Sequence, residues 1–547
     1  MAVSAISSAI TSEFSGPLVS VPPTPGMIDA STGEMSVALA KAEVAVARAR
    51  AAQPLWAARA VAERARIIER FRQLAYARRA EIAELVTREC GKPLPESYVA
   101  DVSMALEGAR FLTRIAPRTL AARRRRSQVL AAWRKSITTH YEPHGVVAVI
   151  SPWNYPFLYP AMHVIPALLA GNTVVLKASE YTPQCGALLV SLLHEAGVPA
   201  DALIALEGDG RTGAALVSAN VDKVLFTGSE RTGRAIAIAC APRFVPVSLE
   251  LGGSDAAVVL EDAPMEHTAS GILWGRFANA GQTCVAVKRV IAIGAAYDAL
   301  LPRLATAMRS LVIAASTSHA QGSRAVVDMG PLVSATQRDL IAAQLDDAVA
   351  RGATVYARVE PQPMAATDAD ERLQARIAPA VILTDVTREM RVWHEETFGP
   401  VLVVVRAQSE AEAVSMANDT RYGLSASVWT RNRNAAQRIA AQLEAGAVVI
   451  NDSVLNAGLP EVAHGGVKAS GLGRRHGVEG LMECVRTRTV LDDAFIAMRQ
   501  PWWFGYGSDS AARLDAYLRL THGTSLGDRL SGIAGTLKML LRPERPL

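Results

Sequence analysis

Hydrophobic and polar positions divide the chain into successive regimes. From Met35 to about Leu120 apolar residues recur at helical spacing through Ala- and Arg-rich sequence, as in Val61 to Tyr76, which predicts consecutive amphipathic helices. After Arg123-Arg124-Arg125-Arg126, short β-rich runs take over, separated by Gly, Pro and Asn: Gly145–Ile150, Asn172–Leu176, Ala202–Leu206, Lys223–Phe226 and Asp255–Leu260. Helical stretches such as Thr182–Ala196 and Thr232–Ala239 lie between most of them, and strands alternating with helices predict an α/β fold with a parallel sheet. A second α/β series runs from about Met265 to Ile450, with strands expected at Val285–Ile293, Ala380–Leu383 and Pro400–Val405.

At 547 residues the chain is too long for one core, and its composition, half hydrophobic and one-fifth charged, is that of a globular enzyme. The net charge of +5 and a pI near 9.0 raise the question of nucleic acid. Most of the excess is local, however: Arg499–Leu547 holds seven Lys or Arg against four Asp or Glu. No nucleic-acid partner is therefore expected. Five widely spaced cysteines form no CxxC pair, which predicts no metal site, no disulfide framework and a cytoplasmic location with reduced thiols. The first 28 residues carry Pro22, Pro23 and Pro25 but no Lys or Arg, so residues 1–30 are expected to be a mobile leader rather than a signal peptide. No apolar run approaches the roughly 18 residues of a membrane-spanning helix.

Several segments carry chemistry. Ile150-Ser-Pro-Trp-Asn-Tyr-Pro-Phe157 follows a buried strand, where ligands gather in open parallel sheets, although Ser-Pro and Asn are also ordinary turn residues. Phe226-Thr-Gly-Ser-Glu-Arg-Thr-Gly233 reads as strand, Gly-bracketed turn and helix start, which favours a phosphate but also describes a plain capped turn. Leu249-Glu-Leu-Gly-Gly253 sets Glu250 in apolar surroundings that raise a carboxylate toward the range of a general base. Ala280-Gly-Gln-Thr-Cys-Val285 puts Cys284 among small residues, where the ordinary alternative is an inert buried thiol.

Together and in this order, WNYPF, KASEYTP, FTGSERTG, LELGG, GQTC and HEETFGPV resemble the NAD(P)-dependent aldehyde dehydrogenase superfamily over roughly Ser36 to Leu491. The resemblance implies a Rossmann-type cofactor domain (31–122 and 144–252), an α/β catalytic domain (253–453), a β-strand oligomerisation arm with a C-terminal core segment (123–143 and 454–497), and an extension over 498–547. It implies Cys284 as the nucleophile that attacks an aldehyde, the Asn154 amide as an oxyanion donor, and Glu250 as the base that activates water to release a carboxylic acid. For the cofactor it implies Trp153, Lys177, Glu180, Gly228, Ser229, Glu396 and Phe398, with Glu180 favouring NAD over NADP because a carboxylate repels a 2′-phosphate. Homodimers or homotetramers are expected. A catalytically weak paralogue serving as a scaffold is the competing reading.

The sequence departs from the family at Ser254, where Lys is usual, and at Ala463-His464-Gly465-Gly466, where His464 falls at an aromatic position of the substrate funnel. The arginines that grip succinic semialdehyde in its family branch would fall at Met162 and Ala278. With Tyr155, Tyr159, Met162, Leu455 and Leu459 expected near the funnel, an apolar or aromatic aldehyde is predicted. The extension carries Pro501-Trp-Trp-Phe-Gly-Tyr506 and a stripe Leu526, Leu530, Ile533, Leu537, Leu540 at helical spacing, which Gly527, Gly532 and Gly535 weaken. Two readings remain for it: packing on its own subunit or a neighbour, or peripheral membrane contact.

Overall fold

A computed structural model describes residues 32–314, 327–362, 375–493, 500, 502–504 and 506–541. The leader expected over residues 1–30 lies outside the described residues. The strands in chain order are β1 (Arg123–Arg126), β2 (Lys135–Pro143), β3 (Val146–Ile150), β4 (Thr173–Lys177), β5 (Leu203–Ala205), β6 (Lys223–Thr227), β7 (Val247–Glu250) and β8 (Asp255–Val259). They continue with β9 (Val287–Ile293), β10 (Thr354–Val359), β11 (Ala380–Thr384), β12 (Val401–Ala407), β13 (Ser425–Trp429), β14 (Ala447–Ile450), β15 (Gly471–Leu472) and β16 (Val485–Asp493).

β3, Val-Val-Ala-Val-Ile, is buried along its whole length, as a strand inside a doubly covered parallel sheet must be. Its residues alternate between two cores. Val147 and Val149 pack with Phe71, Ile165 and Leu189 from helices on one face, while Val146, Ala148 and Ile150 pack with Ala42, Leu216 and Ile236 on the other. The sheet order is β15-β7-β6-β3-β4-β5, parallel except where β15 runs antiparallel to β7. Gly471 permits that last pairing: at φ +132° any Cβ would collide with the Leu249 carbonyl.

A second sheet, β10-β11-β12-β9-β8-β13-β14, is parallel except for the antiparallel β10–β11 pair. Only Leu251-Gly252-Gly253-Ser254 separates Glu250, the last residue of β7, from Asp255, the first of β8. The chain thus crosses between the sheets in four residues, and the crossing lies where the loop after β3 meets the turn before β9.

A third sheet, β1-β2-β16, is antiparallel, with β2 and β16 registered from Lys135↔Asp493 to Val485↔Pro143. The four-arginine run is its exposed edge strand, where like charges discourage adventitious pairing.

Local differences from the sequence expectations have identifiable causes. The strand expected from Val285 starts at Val287, because the Ala286 N–H bonds to the Thr283 carbonyl and closes a turn around Cys284. The helix expected from Thr232 starts at Glu230, because the Ser229 hydroxyl accepts the Thr232 N–H and caps it. In the extension, helices Ser510–His522 and Leu526–Leu541 pack as a hairpin. Gly532 and Gly535 do not simply weaken the second helix: they let it approach Ala516, which a Cβ at either position would strike. That small-residue face docks, and Leu526, Leu530, Ile533 and Leu537 stay exposed.

Candidate active site

Cys284 is half-buried in the turn that precedes β9. Tyr159 on helix Leu158–Leu169 brings its hydroxyl to 3.6 Å from Cys284 Sγ, and the Lys288 ammonium donates to the Thr283 carbonyl at 3.0 Å and to that of Cys284. Burial pushes the Cys284 thiol up, opposed by Arg475, the Tyr159 hydrogen bond and Lys288. Just upstream, Asn279 and Ala280 both take left-handed φ, +52° and +54°. This conformation is strained for Ala and is held by Asn279, whose N–H donates to Glu96 and whose side-chain amide donates to the Asn154 carbonyl, both at 2.9 Å.

Asn154, in the loop after β3, donates its side-chain amide to the Gln282 carbonyl at 2.9 Å, which orients it two residues from Cys284 and leaves one amide hydrogen free of that bond. Its backbone is anchored from below. Lys92 Nζ donates to the Asn154 carbonyl at 2.7 Å and pairs with Asp101 at 2.8 Å, and Asp101 in turn accepts the N–H groups of Phe157 and Leu158.

Glu250 ends β7 with 4% exposure, and neither carboxylate oxygen has a hydrogen-bond partner. Burial raises it to about 7, against the pull of Arg475 and Arg474. His464 Nε2 lies 3.4 Å from Glu250 Oε2. This corrects the sequence placement of His464 at the substrate funnel: its backbone pairs with Arg475 in a β-bridge, which turns the ring beneath Glu250. A raised carboxyl beside a thiol turn can take a proton from water.

Of the other predicted positions, Trp153, Lys177, Gly228 and Ser229 lie at or after the carboxyl ends of first-sheet strands, and Glu396 and Phe398 precede β12 of the second. Lys177 ends β4 and bonds Glu180 at 2.7 Å, and Glu180 lines a groove together with Glu207. Gly228 donates its N–H to the Glu250 carbonyl, and Ser229 caps the helix that begins at Glu230. Trp153 and Phe398 meet edge to face at 5.6 Å, and Glu396 accepts the Gly253 N–H at 3.1 Å and faces Lys288 at 3.8 Å. The positive end of a capped helix, carboxylates in the groove and flat aromatic walls fit a dinucleotide.

A cavity of about 270 Å³ leads to the Cys284 turn, lined by Met104, Tyr155, Tyr159, Trp274, Ala278 and Leu455 among others. Its lining holds no Lys, Arg or His, and its one carboxyl, Glu96, is raised by burial to about 7. Met162 and Leu459, expected here, do not line it; Met162 points into a smaller void beside Gly108. The described residues hold no cluster of His, Cys, Asp or Glu able to bind a metal.

A model of the aldehyde dehydrogenase family matches residues 28–490. The chain belongs to this family. It is accordingly an NAD(P)-linked oxidoreductase of aldehydes with the family's α/β fold. Among curated relatives it is 38% identical, over 84% of this chain and 85% of the other, to a Mycolicibacterium smegmatis protein named "Putative succinate-semialdehyde dehydrogenase", NADP(+) being part of that name. It is 34% identical, over 87% and 86%, to the 4,4'-diapolycopene aldehyde oxidase of a Methylomonas species. Among solved structures, PnpE in complex with nicotinamide adenine dinucleotide superposes with a TM-score of 0.77 at 32% identity, covering 83% of this chain and 90% of that one.

The motif reading missed Asn279 and Lys288, which flank the Cys284 turn, and Lys92, Asp101 and Arg475, which reach the site from remote segments. The faint signals were the charged pair Lys288-Arg289, beginning four residues after Cys284 in a strand that is apolar elsewhere, and Arg475 in the Gly-Arg-Arg-His-Gly turn.

Proposed function

We propose that this dehydrogenase oxidises an apolar or aromatic aldehyde to its carboxylic acid, with NAD preferred over NADP. The observation that carries the substrate class is the funnel, whose lining offers no cation to a substrate carboxylate. In this reading Cys284 Sγ, as thiolate, attacks the aldehyde carbon. The oxyanion of the thiohemiacetal is met by the free Asn154 amide hydrogen and the Cys284 N–H. When bound, NAD supplies the two-electron acceptor that converts this adduct into a thioester on Sγ. Glu250 then takes a proton from water, the hydroxide adds to the thioester carbon, and the acid leaves as the C–S bond breaks. A retained base favours hydrolysis over acyl transfer to coenzyme A.

Lys177, Glu180, Gly228, Ser229, Trp153, Glu396 and Phe398 would hold the dinucleotide. Glu180 and Glu207 in one groove support a free 2′-hydroxyl over a 2′-phosphate. The relatives differ on this point, one carrying NADP(+) in its name and PnpE having been solved with NAD.

An aldehyde panel followed by NADH absorbance tests the proposal. A long-chain or aromatic aldehyde with NAD should give the highest kcat/KM; preference for succinic semialdehyde overturns the substrate class, and preference for NADP overturns the cofactor. Absence of turnover with every aldehyde would favour the scaffold reading.

Two partner assignments belong with this reading. Among the described residues β14 and β16 are sheet-edge strands, each paired on one side, which supports assembly of copies through the arm. The exposed Leu stripe, the exposed Trp502, Trp503, Phe504 and Tyr506, and the extension's excess of basic residues suit an anionic bilayer surface. No helix among the described residues is long and apolar enough to cross a membrane. Sedimentation with anionic liposomes checks this: a chain ending at residue 497 should lose binding, and equal binding rules the extension out.

A further inference from the structure

Arg475 is buried at 3% exposure, and none of its three guanidinium nitrogens has a hydrogen-bond partner. Its neighbour Arg474, by contrast, is tied to the Gly466 and Gly473 carbonyls. The Arg475 guanidinium carbon lies 4.3 Å from the centre of the Tyr159 ring, and Tyr159 places its hydroxyl 3.6 Å from Cys284 Sγ. The Arg475 backbone exchanges two hydrogen bonds with His464, whose ring reaches to 3.4 Å from Glu250. One residue thus adjoins the immediate neighbours of both the thiol and the carboxyl, from a position that does not line the substrate funnel.

A buried cation without a counter-ion is costly, and such groups persist where an anion faces them in the working state. The imidazoles around Arg475 do not compete for that role. His163, His464 and His476 are held neutral, by burial first and by Arg475 next. Tyr159 is pushed well above the usual phenol range by burial, so it too stays uncharged. The groups left to face Arg475 are Cys284 and Glu250. Cys284 is also faced by Tyr159, Lys288 and Glu396, and Glu250 by Arg474, Glu483 and His464.

We propose that Arg475 is the positioning cation of this active site: its unpaired guanidinium, stacked on Tyr159 and carried on a backbone paired with that of His464, favours the Cys284 thiolate and the Glu250 carboxylate over their neutral forms. It acts through its field and through Tyr159 and His464, without touching the reacting atoms. The inference rests on the assignment of Cys284 as nucleophile and Glu250 as base.

The test reads the thiol directly and needs no aldehyde. The rate of Cys284 alkylation by iodoacetamide is followed against pH for the full-length wild type, Arg475→Lys and Arg475→Met, with Cys284→Ser as the blank. Loss of the cation should raise the alkylation midpoint by about one pH unit or more in Arg475→Met, and Lys should restore most of the shift. Circular dichroism and NAD binding report folding; if Met unfolds the chain, Arg475→Gln carries the same comparison. A folded neutral variant with an unchanged midpoint overturns the proposal. So does a Lys variant shifted as far as the neutral ones. If the midpoint moves as expected but no aldehyde is oxidised, the functional reading fails and the electrostatic one stands.

Discussion

Lys92 Nζ donates to the carbonyl oxygen of Asn154 at 2.7 Å while paired with Asp101 at 2.8 Å, and both charged side chains are fully buried. The ion pair is therefore a strut beneath the loop after β3. Burial and Asp101 act on Lys92 in opposite directions, and the net effect is an ammonium held above its usual range. Lys92→Met would leave Asp101 as an uncompensated buried charge, which costs on the order of 3–5 kcal/mol. Urea melts should show that loss, and the double variant Lys92→Met/Asp101→Leu should recover part of it. If Lys92→Met alone is as stable as wild type, the strut has no structural role.

Asn154 is the output of that strut. With its amide oriented by Gln282, Asn154→Ala should lower kcat about 10²–10³-fold, the cost seen when one oxyanion donor is removed, while NAD binding by fluorescence stays near wild type. A kcat within a factor of three of wild type would dismiss the amide as a donor.

The contrast between Asn154 and Lys92 shows what the sequence made legible. Asn154, Glu250 and Cys284 sit in compact motifs beside buried strands, so local pattern and company singled them out as candidates. Lys92 lies in a short linker between helices and Arg475 in a turn, and both reach the site only through tertiary packing. Ala280 gave no signal of its left-handed φ, because Ala is not a turn residue; the strain is imposed by Asn279 and Glu96 from outside. For the fold, continuous apolar runs such as β3 announced the parallel sheets. In the extension, helical period told which residues share a face but not which face docks. The glycines decided that by allowing backbone approach at Gly532 and Gly535.

Glu250→Gln should separate the two halves of the reaction. Thiohemiacetal formation and oxidation do not need the base, so stopped-flow should show a burst of NADH close to one per active site, followed by steady turnover reduced at least about 10²-fold. In the wild type, hydrolysis should climb as pH rises through about 7, where Glu250 becomes a carboxylate. Full steady turnover in the Gln variant would assign the base elsewhere.

The same substitution has a stability signature of definite sign. Glu250 binds its proton more tightly folded than unfolded, since burial raises it from 4.5 to about 7. Its contribution to wild-type stability is complete below about pH 4.5 and is lost as pH rises through about 7. Gln has no such loss. The stability of Glu250→Gln relative to wild type should therefore grow across that window and level off above it, at about 3 kcal/mol. A pH-independent difference would mean that Glu250 is not titrating as a buried carboxyl.

Ala278 offers the sharpest test of the funnel. It lines the cavity together with Met104, Trp274 and Leu455, so a longer side chain there projects among apolar walls that hold no cation of their own. Ala278→Arg supplies the missing counter-charge for an acid semialdehyde and at the same time reduces the apolar volume open to a long or aromatic chain. The ratio of kcat/KM for succinic semialdehyde to that for an aromatic aldehyde should rise by at least about tenfold, since one charge-assisted hydrogen bond contributes roughly 1.5–3 kcal/mol. Glu96 in the same lining is the competing partner for the new guanidinium, so the companion variant Ala278→Leu isolates volume from charge. Leu, which removes volume without adding charge, should raise that ratio less than Arg does. If Arg and Leu change the ratio equally, the absence of a cation is not what sets the substrate class.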